Sequence, residues 1–230
     1  MKISREFSKY AGDYESRNSI QTLVVQKLLS LITTKPQKIL DLGCGSGALS
    51  KNISWDYEKL IGVDFAQGML DLHPSSSKIE LIFGDFNDAR LFEQLKAEQY
   101  DAIFSASALQ WANNLDATFS NISKLKAPVA FAIFTANTFK TLNMTAGVDS
   151  LLVSPQRIKS LQEKHFEASF ELVEYRLEFE SVREMLRYIK RSGVSGSRNL
   201  LSVKELKALM QNYPLNYLEF EVAYVSTKSI

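Results

Sequence analysis

A single cysteine, Cys44, stands in 230 residues, so no disulfide can form within the chain. Only two histidines occur, His73 and His165, 92 positions apart, which offers no metal-ligand spacing. A disulfide or zinc scaffold is thereby excluded. Charge of one sign is not in excess: 27 Lys and Arg oppose 26 Asp and Glu, a net charge of +1. The chain has no global field for nucleic acid or an anionic membrane, and a polyanionic partner must be met by a local patch. Long apolar runs are missing too, the longest being Ala127 to Phe134, well short of the ~20 residues that span a bilayer. The first residues, Met1-Lys2-Ile3-Ser4-Arg5-Glu6, carry no apolar core of a secretory signal. The expectation is a cytoplasmic protein with neither membrane nor nucleic acid as partner.

What is present is ordinary globular composition, 45% apolar and 23% charged, which predicts a folded chain with one sizeable core. Ile20, Leu23, Val24, Leu28, Leu31 and Ile32 recur at helical spacing, so residues 4–33 read as helical before Pro36. The period then changes. Short apolar runs at 38–42, 60–63, 79–83, 100–104 and 129–134 alternate with stretches suited to helices at 48–55, 69–72, 91–97 and 115–125. Continuously apolar strands alternating with helices predict a parallel sheet covered on both faces. The second half reads as a helix at 155–164, a strand at 170–179, helices at 182–191 and 202–211 around a Gly/Ser break, and a last strand at 217–226. The expected fold is α/β, a doubly wound, mostly parallel, seven-stranded Rossmann-like sheet in a single domain. Residues 1–35 form its N-terminal helical segment, and 181–212 a small helical cap over the carboxyl edge of the sheet, where ligands bind.

The first strand runs into Gly43-Cys44-Gly45-Ser46-Gly47-Ala48, where glycines permit a tight turn and close approach to a ligand. Alone, this also fits the dinucleotide pattern of an NAD enzyme. Asp64 ends the second strand 21 residues after Gly43, placed to reach a ribose diol, and both readings survive it. Gly84-Asp85-Phe86 after the third strand separates them, with Asp85 to accept an adenine amino group and Phe86 as its flat neighbour. The acidic Asp41 disfavours a pyrophosphate and suits a ligand carrying ammonium and sulfonium groups. Cys44 reads as a small spacer and Asp101 as a local hydrogen-bonding group.

Asp41-Leu42-Gly43-Cys44-Gly45-Ser46-Gly47, Asp64, Met69-Leu70 and Gly84-Asp85-Phe86 together resemble the class I S-adenosylmethionine-dependent methyltransferases. That resemblance implies S-adenosylmethionine as cofactor, held by Tyr14, Asp41, Gly43, Gly45, Asp64, Phe65, Met69, Asp85, Phe86 and Ser105. Phe7-Ser8-Lys9-Tyr10-Ala11-Gly12-Asp13-Tyr14-Glu15 with Gln21, Ala108-Leu109-Gln110-Trp111, Leu186 to Val194 and Tyr213-Pro214-Leu215-Asn216-Tyr217 are similar to one family in particular, the malonyl-acyl-carrier-protein O-methyltransferases of biotin synthesis. In one place the chain departs from that family: Ser150-Leu151-Leu152 stands where the family often has an arginine, so no receptor for the malonyl carboxylate is assigned. Trp111 lies near where the transferred methyl belongs and serves either the pocket or packing.

A carboxylate is already ionised at neutral pH, so methylating it by in-line displacement needs alignment rather than a general base. On the helix 182–191, Val182, Met185, Leu186 and Ile189 form an apolar side. Arg183, Arg187, Lys190 and Arg191 form a basic side, which is either a solvated face or a dock for an acidic acyl carrier protein. Two alternatives remain open: a small-acid methyltransferase of the trans-aconitate type, and a non-enzymatic S-adenosylmethionine-binding regulator.

Overall fold

The computed structural model describes residues 19–191 and 203–228. Its sheet has seven strands in the order β3-β2-β1-β4-β5-β7-β6. The first five, β1 (Lys38–Leu42), β2 (Lys59–Asp64), β3 (Ile79–Phe83), β4 (Ala102–Ala106) and β5 (Val129–Phe134), are parallel. β7 (Tyr217–Thr227) runs antiparallel to β5 and pairs along its length with β6 (Ala168–Glu178). The strand order reverses beside β1, and the crevice there opens at the carboxyl ends of β1 and β4.

Alternate side chains of each strand face opposite layers. Ile39, Phe104, Ala132 and Phe220 face one way and pack with Ile20, Val24 and Leu28 of α1 (Ser19–Ser30). Leu40, Ile103, Phe131 and Val225 face the other way, against α4 (Ala89–Leu95), α5 (Leu115–Ser123) and α7 (Pro155–His165), which follow α2 (Ala48–Asn52) and α3 (Gln67–Leu70) in the chain. Because both faces are covered, the central strands read as unbroken apolar runs. On the second face Phe119 stacks on Phe131 with ring centroids 5.8 Å apart.

Helix starts follow local chemistry. The side chains of Asp88, Asn114 and Ser154 accept from Arg90 N, Ala117 N and Arg157 N, and Pro155 takes the first turn of α7. Asp101 accepts from the amides of Gln37 and Lys38, tying β4 to β1 at the edge away from the crevice. Two elements escape the sequence pattern, α6 (Lys140–Ala146) and a 3₁₀ turn at Leu109–Trp111. Neither has an apolar repeat long enough to register, and α6 stops at Gly147 in the left-handed region.

The segment between β6 and β7 carries α8 (Val182–Arg191) and α9 (Val203–Asn212). Val222 of β7 pairs with Phe134, the last residue of β5, so β7 begins at the carboxyl edge and the segment rises from that edge. Met185 and Ile189 of α8 and Leu209 of α9 join the apolar cluster that α1 covers. The expected helix upstream of Ser19 and the Gly/Ser break at 192–197 lie outside the described residues.

Candidate active site

A cleft opens where β1 turns into α2. Gly43, Gly45 and Gly47 all take positive φ, at 77°, 54° and 86°, a region that costs other residues about 1–2 kcal/mol. Space is as limiting as conformation: a Cβ on Gly43 would lie 2.2 Å from Cβ of Ala108, and one on Gly47 2.5 Å from Cδ of Pro74. The amides of Gly43 and Cys44 donate to Val63 O at 2.8 and 3.0 Å, which fastens the loop to β2. Cys44 is buried, with its thiol pKa pushed up by desolvation and by Asp41 and Asp64, and its sulfur fills the space over Gly62. It is a spacer.

Asp64 lines the cleft from the end of β2. Its two carboxylate oxygens accept from Gly45 N at 2.9 Å and Ala66 N at 2.8 Å. A carboxylate has about four lone-pair sites, so acceptor capacity remains for a diol on the cleft side. Burial raises the pKa of this carboxyl and the backbone bonds oppose the rise. Asp41 is placed differently. It lies buried beneath the loop, one of its oxygens has no partner among the described residues, and desolvation, with Asp64 second, pushes its pKa up to about 8.

Gly43, Gly45, Asp64, Phe65, Met69, Phe86 and Trp111 come together around the cleft. Three predicted residues do not join them. Asp85 is exposed, and one of its oxygens accepts from both the backbone and side-chain nitrogens of Asn87 at 2.8 Å. Ser105 is fully buried and donates to Leu42 O at 2.7 Å, so it braces β4 against β1. Asp41 sits under the cleft rather than in its wall. Tyr14 lies outside the described residues, as do the side chains of Lys190 and Arg191, while Arg183 and Arg187 are exposed on α8.

The structure also places in the wall residues that were not assigned to the site: Gln21 and Val25 of α1, Ala106 at the end of β4, and Ser107 and Ala108 after it. Gln21 had a visible signal, a polar residue on the buried stripe of its helix. Its Oε1 and the Oγ of Ser107 are buried without a partner among the described residues.

These features test whether S-adenosylmethionine fits. Gly43 and Gly47 without room for a Cβ, a carboxylate in the cleft wall with capacity to spare, and a second carboxylate beneath with an oxygen unpartnered among the described residues suit a cationic nucleoside. They suit a pyrophosphate poorly, because the Gly45 amide is already taken by Asp64.

Residues 39–128 match the family described as methyltransferase domain. A malonyl-[acyl-carrier protein] O-methyltransferase of Methylovorus sp. is 29% identical over 84% of this chain and 72% of that protein. One from Anoxybacillus flavithermus is 27% identical over 94% of this chain and 90% of its own length. Among solved structures, a putative methyltransferase from Bacillus halodurans superposes with a TM-score of 0.60 at 11% identity, over 87% of this chain and 96% of that one. Residues 39–128 of this chain thus match a methyltransferase-domain family, its seven-stranded sheet has the fold of solved methyltransferase structures, and over most of its length the chain is similar to malonyl-acyl-carrier-protein O-methyltransferases.

Proposed function

We propose that this protein transfers a methyl group from S-adenosylmethionine to the free carboxylate of a malonyl group carried on an acyl carrier protein, giving a methyl ester. The observation that carries the reading is a cleft lined by Asp64, the Gly43 cradle, Ser107 and Trp111, which brings a carboxylate suited to a ribose together with uncharged polar groups. When bound, S-adenosylmethionine supplies a methyl on a sulfonium: the acceptor oxygen's lone pair takes the methyl carbon, the carbon–sulfur pair stays on sulfur, and no proton changes hands. Asp64 orients the ribose. Asp41 balances positive charge from below, and the apolar faces of Phe86, Met69 and Trp111 exclude water so that the nucleophile is partly desolvated. The two relatives named above support malonyl-carrier protein as the acceptor. The exposed arginines of α8, at the carboxyl edge of the sheet, suit an acidic carrier.

An acceptor screen with labelled cofactor tests this, comparing malonyl-carrier protein, malonyl-CoA and free dicarboxylic acids. The carrier-linked malonyl group should be methylated fastest, and mild alkali should remove the label. An alkali-stable methyl on nitrogen or carbon would overturn carboxyl transfer; preference for a free dicarboxylate would point to the small-acid class.

A further inference from the structure

We propose that Ser107, with Gln21 of α1 in the wall of the same cleft, holds the carboxylate that accepts the methyl group, a role that rests on the carboxyl-transfer reading above. Place comes first. β4 lies two strands from β2, so at strand spacings of 4.7–4.9 Å the residues following β4 stand roughly 10 Å along the edge from Asp64. With the ribose at Asp64, this is the end of the cleft where the methyl and its acceptor meet.

Conformation is the second observation. Ser107 has φ of 62°, which is uncommon for a residue with a Cβ. Two hydrogen bonds hold it there: its amide donates to Ala132 O at 2.9 Å, and Gln110 Nε2 donates to its carbonyl at 2.6 Å. Ser107 lines the cleft and its hydroxyl has no partner among the described residues, although a buried hydroxyl without one costs free energy. Gln21 shows the same feature independently. It is 6% exposed, lines the same cleft, and its Oε1 has no partner among the described residues. Its amide ends interchange by a half-turn of the side chain, so it can offer an N–H as readily as an oxygen.

Chemistry then selects the ligand. A hydroxyl and an amide N–H donate strongly to an ionised carboxylate. Being neutral, they fix its orientation without cancelling the charge that makes it a nucleophile. A guanidinium in the same place would engage both oxygens and weaken the attacking lone pair.

Ser107→Gly tests this with little risk to folding, since glycine accepts the same φ and only the hydroxymethyl group is lost. Gln21→Met removes the amide at similar volume. Each variant should lose about tenfold or more in kcat/KM for the carboxylate acceptor, with affinity for S-adenosylhomocysteine by calorimetry unchanged. Ser107→Asn, which tolerates a left-handed backbone and restores a donor, should recover part of the loss. If the wild type forms no alkali-labile ester, carboxyl transfer and this assignment fall together. If the wild type forms the ester and both variants keep their acceptor parameters, the assignment alone is overturned. A fall in S-adenosylhomocysteine affinity that matches the fall in activity would place both residues on the cofactor and likewise overturn it.

Discussion

Asp41 and Asp64 sit on neighbouring strands, yet their surroundings give them opposite duties. Asp64 accepts from backbone amides on the loop side and lines the cleft, so it has acceptor capacity to offer a ligand. Replacing it by alanine should weaken S-adenosylmethionine binding by about 1–3 kcal/mol. It should also lower the melting temperature, because Gly45 N and Ala66 N lose their acceptor; unchanged cofactor affinity would remove Asp64 from the site. Asp41, with a pKa of about 8 in the free protein, is mostly protonated at neutral pH. A cationic ligand above it favours the ionised form, so at pH 6.5 binding should release a proton, measured by calorimetry in buffers of different ionisation enthalpy. Asp41→Asn should abolish that release, and equal release from both proteins would sink the idea. A carboxyl whose folded pKa is raised loses stabilising free energy as pH climbs from the unfolded value near 4 through about 8. Asp41→Asn should therefore raise the melting temperature of the free protein more at pH 8 than at pH 5. Gly43 is limited by backbone and space at once, and Gly43→Ala should cost about 2–4 kcal/mol of stability together with cofactor binding.

The elements show where periodicity is a good guide and where it stops. β1, β2, β4 and β5 are legible because a buried parallel strand must be apolar on both faces, and the sequence has such runs where the strands form. The turns after the strands are less legible. Gly84-Asp85-Phe86 puts Phe86 in the cleft, but Asp85 closes a local turn with Asn87, a competition that short polar side chains routinely enter. Ser107 escapes for the opposite reason: nothing in its neighbours announces a left-handed backbone held from Ala132 and Gln110. α8 buries Met185 and Ile189 and leaves Arg183 and Arg187 exposed, as the amphipathic pattern implies. Reversing both arginines to glutamate should slow turnover of a carrier-linked acceptor several-fold in a salt-dependent way, and spare a small thioester analogue. Equal losses on both substrates would assign the face to folding, and no change would leave it a solvated surface.

At the scale of the whole molecule, a reaction without proton transfer has a simple signature. With cofactor saturating, kcat should be flat between about pH 6 and 8, since a malonyl carboxylate stays ionised across that range. A limb in that interval would demand an essential base. The sequence by itself determined the layered α/β architecture, the glycine loop and the place of Asp64 at the cleft, because these depend on local properties: strand burial, backbone freedom and a carboxylate at a strand end. Only the tertiary structure decided which polar groups share the cleft. Gln21 and Ser107 are 86 positions apart and meet because α1 lies across β4 and β5. Ser105 is held by Leu42 O, and one oxygen of Asp85 is taken by Asn87. A polar side chain is directed by whichever donor or acceptor the fold brings within about 3 Å, and that choice is made by packing, not by spacing along the chain.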